Sequence, residues 1–232
     1  MKIILSRKGF DSGAGGVASP ILPDGTMLSL PIPDRSSPIR YADVRLHGND
    51  LGPIVEALTR GKKKAHFGAH LDPDVVPDAL PRLPGWQPTF GQAGGEQTVL
   101  VREGVGPGDV FLFFGWFRDV VQDGAVLRYR RGAPNLHVLW GWMQVAQIVD
   151  VATGALPEWV RCHPHVAAPA LQRAAQRQCR EHVAAGAAGG DQDRAAHARQ
   201  SRSGGSCSRA PRRVSDRTMP MAIASASSDE PP

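Results

Sequence analysis

The stretch Asp109-Val-Phe-Leu-Phe-Phe-Gly-Trp-Phe117 contains the longest apolar run of the chain, Val110 to Phe117, broken only by Gly115. Its β-branched and aromatic side chains suit a pleated, half-buried surface. The run is far shorter than the roughly 20 apolar residues of a membrane-spanning helix. Two further β-like segments follow, Val126-Leu-Arg-Tyr-Arg130 and His137-Val-Leu-Trp-Gly-Trp-Met-Gln-Val145, and Gly132-Ala-Pro-Asn135 reads as a hairpin loop between them. Strand alternation places Phe111 and Phe113 on one face, and Trp140 and Trp142 on one face, so most of these aromatics are expected in the core.

Upstream, helical periodicity is scarce. Leu51, Ile54, Val55 and Leu58 repeat at helical spacing after a cap at Asn49 or Asp50, with Pro53 tolerated in the first turn. Ile3-Ile4-Leu5 is a short buried-type run followed by a Gly-rich loop, Gly9 to Gly16. That order suits a strand ending where a ligand or another backbone approaches closely. The Asp24-Gly25 turn leads to Met27-Leu-Ser-Leu30, read as a second strand stopped by Pro31 and Pro33. The whole pattern is α+β, with a mainly antiparallel sheet or small barrel and few helices.

The large aromatics set the domain boundary. All five Trp, both Tyr and all seven Phe lie between Phe10 and Trp159. From Val166 onward there are one Leu, one Ile and three Val, and Ala, Arg, Gly, Ser and Gln fill most other positions. So little apolar area does not offset chain ordering at about 1 to 2 kcal/mol per residue. Residues 1–165 are therefore expected to form one domain, and 166–232 a disordered tail.

The net charge of +5 misleads about partners, because the tail's ten Arg and six acidic residues leave 17 basic against 16 acidic groups in residues 1–165. A domain that close to neutrality lacks the field of a protein that binds nucleic acid by charge alone. Cys162, Cys179 and Cys207 give no disulfide framework and favour a reducing compartment. Met1-Lys-Ile-Ile-Leu-Ser-Arg-Lys8 has only three apolar residues before charge returns, too few for a signal peptide. A cytoplasmic location without membrane contact is expected.

Four segments together resemble the third type of the nucleotide modification associated domain family. They are Ser6-Arg-Lys-Gly-Phe-Asp-Ser12 with the Gly15-Gly-Val-Ala-Ser-Pro-Ile-Leu-Pro-Asp-Gly-Thr26 that follows, His70-Leu-Asp-Pro-Asp74, Gly108-Asp-Val-Phe-Leu-Phe-Phe-Gly-Trp-Phe-Arg118, and His137-Val-Leu-Trp-Gly-Trp-Met-Gln-Val145. The resemblance implies a link to nucleotide or DNA base modification, with no assigned reaction. The C-terminus departs from the family pattern, in which folded protein is expected to continue past His163-Pro-His165. GC-rich DNA read out of frame yields Ala/Arg/Gly/Ser/Pro text of this kind, so a shift of frame near residues 166–170 is the favoured reading and a natural tail the alternative. Translating the gene in its other frames separates them, an aromatic-containing continuation being the sign of a shift.

Within these segments Lys8 can bind a phosphate or, if desolvated, act as a base or nucleophile, with Asp11 orienting it or accepting a proton. Ser6, Arg7 and Ser12 are the substrate-binding groups of the same loop, and a plain surface loop is the alternative. In an extended chain His70, Asp72 and Asp74 point to one side, a geometry for acid/base work or metal ligation, although Asp-Pro-Asp is also ordinary turn text. Pro73 keeps Asp72 extended. Cys162-His-Pro-His165 invites a zinc reading but has no second ligand cluster at the usual spacing, so no metal is assigned. Arg118 and the Lys62-Lys-Lys64 run are candidates for phosphate, Gln144 for a base edge, and Trp86, Phe90, Trp116, Trp140 and Trp142 for stacking.

The first functional expectation is an enzyme acting on a nucleotide or nucleobase, with Lys8 and Asp11 facing Asp72 and Asp74 while Arg118 holds phosphate. No Walker loop, Rossmann fingerprint, methyltransferase-like Gly motif or deaminase zinc signature names a cofactor. The second is a reader of modified bases: Gly-Asp before an apolar strand, followed by Gly141-x-x-x-Val145, looks like the PUA-like barrels, including the EVE type. An inactive truncated remnant is the third.

Overall fold

In the computed structural model the apolar run extends into a fourteen-residue strand, Val110–Asp123, around which the main sheet is built. Residues 1–124, 126–149, 151, 156–166 and the backbone of 222–225 are described. In chain order the strands are β1 (Ile3–Arg7), β2 (Ser19–Ile21), β3 (Ile32–Pro33), β4 (Arg45–Leu46), β5 (Asn49–Asp50), β6 (Ala69–His70), β7 (Thr89–Phe90), β8 (Val110–Asp123), β9 (Val126–Tyr129), β10 (Leu136–Gln147) and β11 (Ala222–Ser225). The helices are α1 (Leu51–Leu58) and α2 (Gly94–Arg102). Few helices among many strands make the fold α+β. No helix among the described residues is long and apolar enough to cross a membrane.

The pairings are mostly antiparallel, with two parallel exceptions on β8. There β1 lies alongside with Ile3 opposite Val110 and Leu5 opposite Leu112, and β2 pairs further on, with Ser19 opposite Phe117. Asp109 joins the starts of β1 and β8: Oδ1 accepts the Lys2 N–H at 2.6 Å and Oδ2 the Gly106 N–H at 3.0 Å. β10 pairs with β8 over Val110–Phe117, and β9 with its polar end, Val120–Asp123.

Because β9 and β10 both pair with β8, the Gly132–Asn135 segment is not the hairpin loop expected of it. The reversal lies between Asp123 and Val126 instead, since β8 runs on past its apolar run and offers backbone to β9. Met27–Leu30 also departs from expectation. Only Met27 forms a bridge, with Ile21. Leu28 donates its N–H to Pro20 O and Leu30 to Ser19 Oγ, so these fully buried leucines sit in loop backbone that a neighbouring carbonyl and hydroxyl satisfy. α1 forms where the periodicity places it, with Asp50 at its N-cap and Leu51, Ile54, Val55 and Leu58 buried.

Alternation along β8 buries Phe111, Phe113 and Phe117, and Phe111 and Phe113 share a face with centroids 6.4 Å apart. With Phe90, Met143 and Val145 they make one apolar cluster. Burial of a side chain of this size contributes about 1.5 to 3 kcal/mol. The two β10 tryptophans do not share a face. Leu139 lies opposite Phe114 and Gly141 opposite Phe113, so Trp140 is an extra residue in a bulge, and the bulge reverses the alternation. Trp140 stacks on Phe113 at 5.7 Å, whereas Trp142 is 41% exposed. A second cluster gathers Phe10, Leu28, Leu30, Tyr41, Leu51 and Val55 beneath α1.

Of the segment expected as a disordered tail, Ala222–Ser225 forms a strand between β10 and β7, where its alternating Ala-Ile-Ala-Ser backbone completes two ladders. The rest of that expectation, apart from Val166, lies outside the described residues.

Candidate active site

Four separate segments deliver polar side chains to one cleft. β1 is the first: its ladder continues one residue, with the Lys8 N–H donating to Phe114 O at 2.8 Å. The approach is close enough that a Cβ at Gly115 would stand 2.6 Å from Lys8 O. The following loop is anchored by Phe10, buried edge-on against Tyr41, and by Gly15, whose φ of +95° and contact with the Phe10 ring exclude a side chain. Asp11 organises this loop: Oδ1 accepts the Gly13 and Ala14 N–H groups, and Oδ2 pairs with Arg7.

The β3–β6 ladder is the second. It sets Ile32 opposite His70, which brings the next acidic residue, Asp34, within 3.0 Å of His70 Nδ1. The third follows β7. Asp74 and Thr89 exchange backbone hydrogen bonds, and the Gly91 N–H then donates to Asp72 Oδ1 at 2.8 Å. The fourth is the turn after Glu158–Val160, in which the His163 N–H donates to Val160 O and the Val166 N–H to His163 O. A Cβ on Gly91 would fall 2.4 Å from the His165 ring, so only glycine admits that imidazole here.

Asp72 is the centre. Its carboxylate is buried and receives Lys8 Nζ at 2.8 Å, while His163 Nε2 stands 3.3 Å from Oδ1, outside hydrogen-bond geometry, and His165 Nε2 3.5 Å from Oδ2. Burial works against its charge, but the imidazoles of His163 and His165 and the ammonium of Lys8 outweigh it and hold the carboxyl well below the ordinary range. Lys8 Nζ also lies 4.3 Å over the Phe90 ring. His70 Nε2 faces His165 Nε2 at 3.2 Å. Burial lowers the His70 imidazole below its ordinary value, against the pull of Asp34 and Asp72. Asp34 stays below its own ordinary value despite burial, because His70 and Ser36 donate to it.

A cleft of about 300 Å³ opens over this cluster, lined also by Arg7, Asp11, Gln92 and Glu96. The arrangement suits proton transfer: an Nδ1–H bonded to Asp34 leaves the His70 Nε2 lone pair directed inward.

The expected site residues divide. Lys8, Asp11, His70, Asp72 and Arg7 line this cleft. Asp74 does not face Asp72: it is clamped by Arg82 through two bonds of 2.6 and 2.7 Å and lines a separate small cavity with Trp86 and Trp159. β6 ends at His70 and the chain bends at Pro73 before Asp74 pairs with Thr89, so the single extended strand that the same-side geometry assumes is not formed. Asp11 is engaged by Arg7 and loop amides. Ser6 is half-buried opposite Phe113, and Ser12 lines a groove with Trp116 and Asn135. Arg118 lies beside Tyr129 in another groove, which Lys62 also lines. Gln144 donates to Gly108 O at 3.2 Å.

Sequence reading passed over Asp34 and Gly91, and weighed His163 and His165 for zinc without giving them a site role. The Cys162-His-Pro-His165 motif did carry a signal, but its partner cluster, His70-x-Asp72, lies some ninety residues upstream in the chain. Cys162 itself is disulfide-bonded, unlike the reading of three cysteines without a disulfide framework.

The family model for nucleotide modification associated domain 3 matches residues 2–219, past the boundary expected at residue 165. No curated protein and no solved structure matches the chain.

Proposed function

The chain belongs to the nucleotide modification associated domain 3 family, and on that premise we propose that it is an enzyme acting on a nucleotide or on a base in DNA, with the Asp72 cleft as its active site. The observation that carries this reading is the buried Asp72 carboxylate, approached by Lys8, Gly91, His163 and His165 at the floor of an open cleft. Isolated burial of a carboxylate is costly, and clusters that keep one ionised in a cleft concentrate at functional sites.

In this reading His70, oriented by Asp34, is the general base, and Asp72 with Lys8 fixes the electrostatics around it. Arg7 at the cleft mouth meets phosphate, and Gln92 offers an amide to a base edge. A reader of modified bases on a PUA-like barrel has no need of a buried ionised cluster, and for that reason we favour catalysis.

The test compares nucleosides of DNA and of nucleotide pools from cells carrying the intact chain, Asp72→Asn or His70→Ala, alongside binding to modified oligonucleotides. We expect altered nucleosides with the intact chain and none with either variant. Unchanged nucleosides with retained binding would turn the reading to a non-catalytic reader, and neither change nor binding to an inactive remnant.

A further inference from the structure

We infer that His70, Asp72 and His165 form a binding site for one divalent first-row transition-metal ion. Their ligating atoms lie within 4.8 Å of one another. The two imidazole Nε2 atoms are 3.2 Å apart, and His165 Nε2 is 3.5 Å from Asp72 Oδ2. An ion bound by nitrogen and oxygen donors at about 2.0 to 2.2 Å holds neighbouring ligand atoms roughly 3.0 to 3.5 Å apart. The His70–His165 and His165–Asp72 pairs thus already have the spacing of neighbouring ligands in a coordination shell.

The surroundings are those a metal site needs. Asp34 engages His70 Nδ1 at 3.0 Å, the outer carboxylate contact that fixes the tautomer and turns the Nε2 lone pair toward the ion. Gly91 serves twice: its N–H holds Asp72 Oδ1, and its missing side chain leaves room for the His165 ring. Two Nε2 atoms at this distance share one proton between two lone pairs, whereas an ion uses both. Lys8 donates to Asp72 Oδ2, which keeps a second lone pair, and its charge is the element of the site that opposes a cation. Two imidazoles and one carboxylate select zinc, iron, cobalt or nickel over magnesium and calcium, which prefer oxygen donors throughout. Three protein ligands leave positions open toward the cleft for water or substrate.

The inference shares its cleft with the proposed function, and an ion there takes the His70 Nε2 lone pair as a ligand in place of its role as a base, but metal uptake is measurable without any substrate. The full chain is stripped with a chelator and titrated with Zn²⁺ by calorimetry and with Co²⁺ by visible absorption, folding being checked by circular dichroism. We expect one ion per chain, and loss of the cobalt bands in His70→Ala and in His165→Ala. Asp34→Asn, which removes no ligand and keeps the shape of the side chain, should weaken Zn²⁺ binding about 10- to 100-fold. No uptake by the folded chain overturns the site. Uptake unchanged in the two histidine variants, or in Asp34→Asn, also overturns it. Failure there leaves the nucleoside test of function untouched, and a loaded protein that alters no nucleoside counts against the function and not the site.

Discussion

Gly91 shows how one residue governs the candidate site through what it lacks. Its backbone N–H bonds Asp72, and a methyl group in place of its hydrogen would meet the His165 ring at 2.4 Å. Gly91→Ala should cost about 1 to 3 kcal/mol by overpacking. The cost should largely vanish when His165→Ala is present as well, because the ring it strikes is gone. Urea unfolding of the two single variants and the double variant reads this coupling. An equal cost in both backgrounds would mean that the strain lies elsewhere. Lys8 has a similar dependence on a neighbour: its carbonyl approaches Gly115 so closely that a larger residue there would move the strand that carries it.

At the scale of elements, β10 and the start of β8 each make a separate prediction. The bulge at Trp140 turns that indole onto Phe113 and leaves Trp142 facing outward. Trp140→Ala should therefore destabilise the fold by a few kcal/mol, while Trp142→Ala stays within about 1 kcal/mol. Similar losses in both, measured by denaturant midpoint, would place the two indoles on one face after all. Asp109 ties β8 to β1, and the N–H groups of Gly106 and Lys2, with the Lys2 ammonium behind them, lower its carboxyl below the ordinary value. A lowered folded value means stability that is present above the unfolded pKa of about 3.9 and lost as pH falls through the folded one. Asp109→Asn should melt several degrees below the intact chain at neutral pH, and the gap should close in acid. A gap that is constant with pH would remove the charge from the account. Strands β1, β8, β9 and β10 and the α1 helix were legible because local periodicity dictates them, whereas β2 to β7, of two or three residues each, are too short to show a period. Partner choice was not, since β9 and β10 pair with successive parts of one strand whose polar end no apolar pattern marks.

For the whole molecule, the cleft is a meeting of positions near residues 8, 34, 70, 91 and 165, which no local spacing relates. The segments arrive there for different reasons: Lys8 by a parallel ladder, His70 and Asp34 by a two-strand ladder, Gly91 by the strand beside Asp74, and His165 by a turn. The amino-acid sequence by itself determined the α+β class, the run that becomes β8, the place of α1 and the family. It also marked Lys8, His70 and Asp72, because composition, periodicity and motif are local properties carried by neighbouring residues. Only the tertiary structure decided that Asp74 belongs to Arg82 and not to Asp72, and that Asp34 and His165 flank His70. Contacts across sixty or ninety residues are fixed by which backbones pair and which side chains fit, and a strand's partner is not written in its own residues.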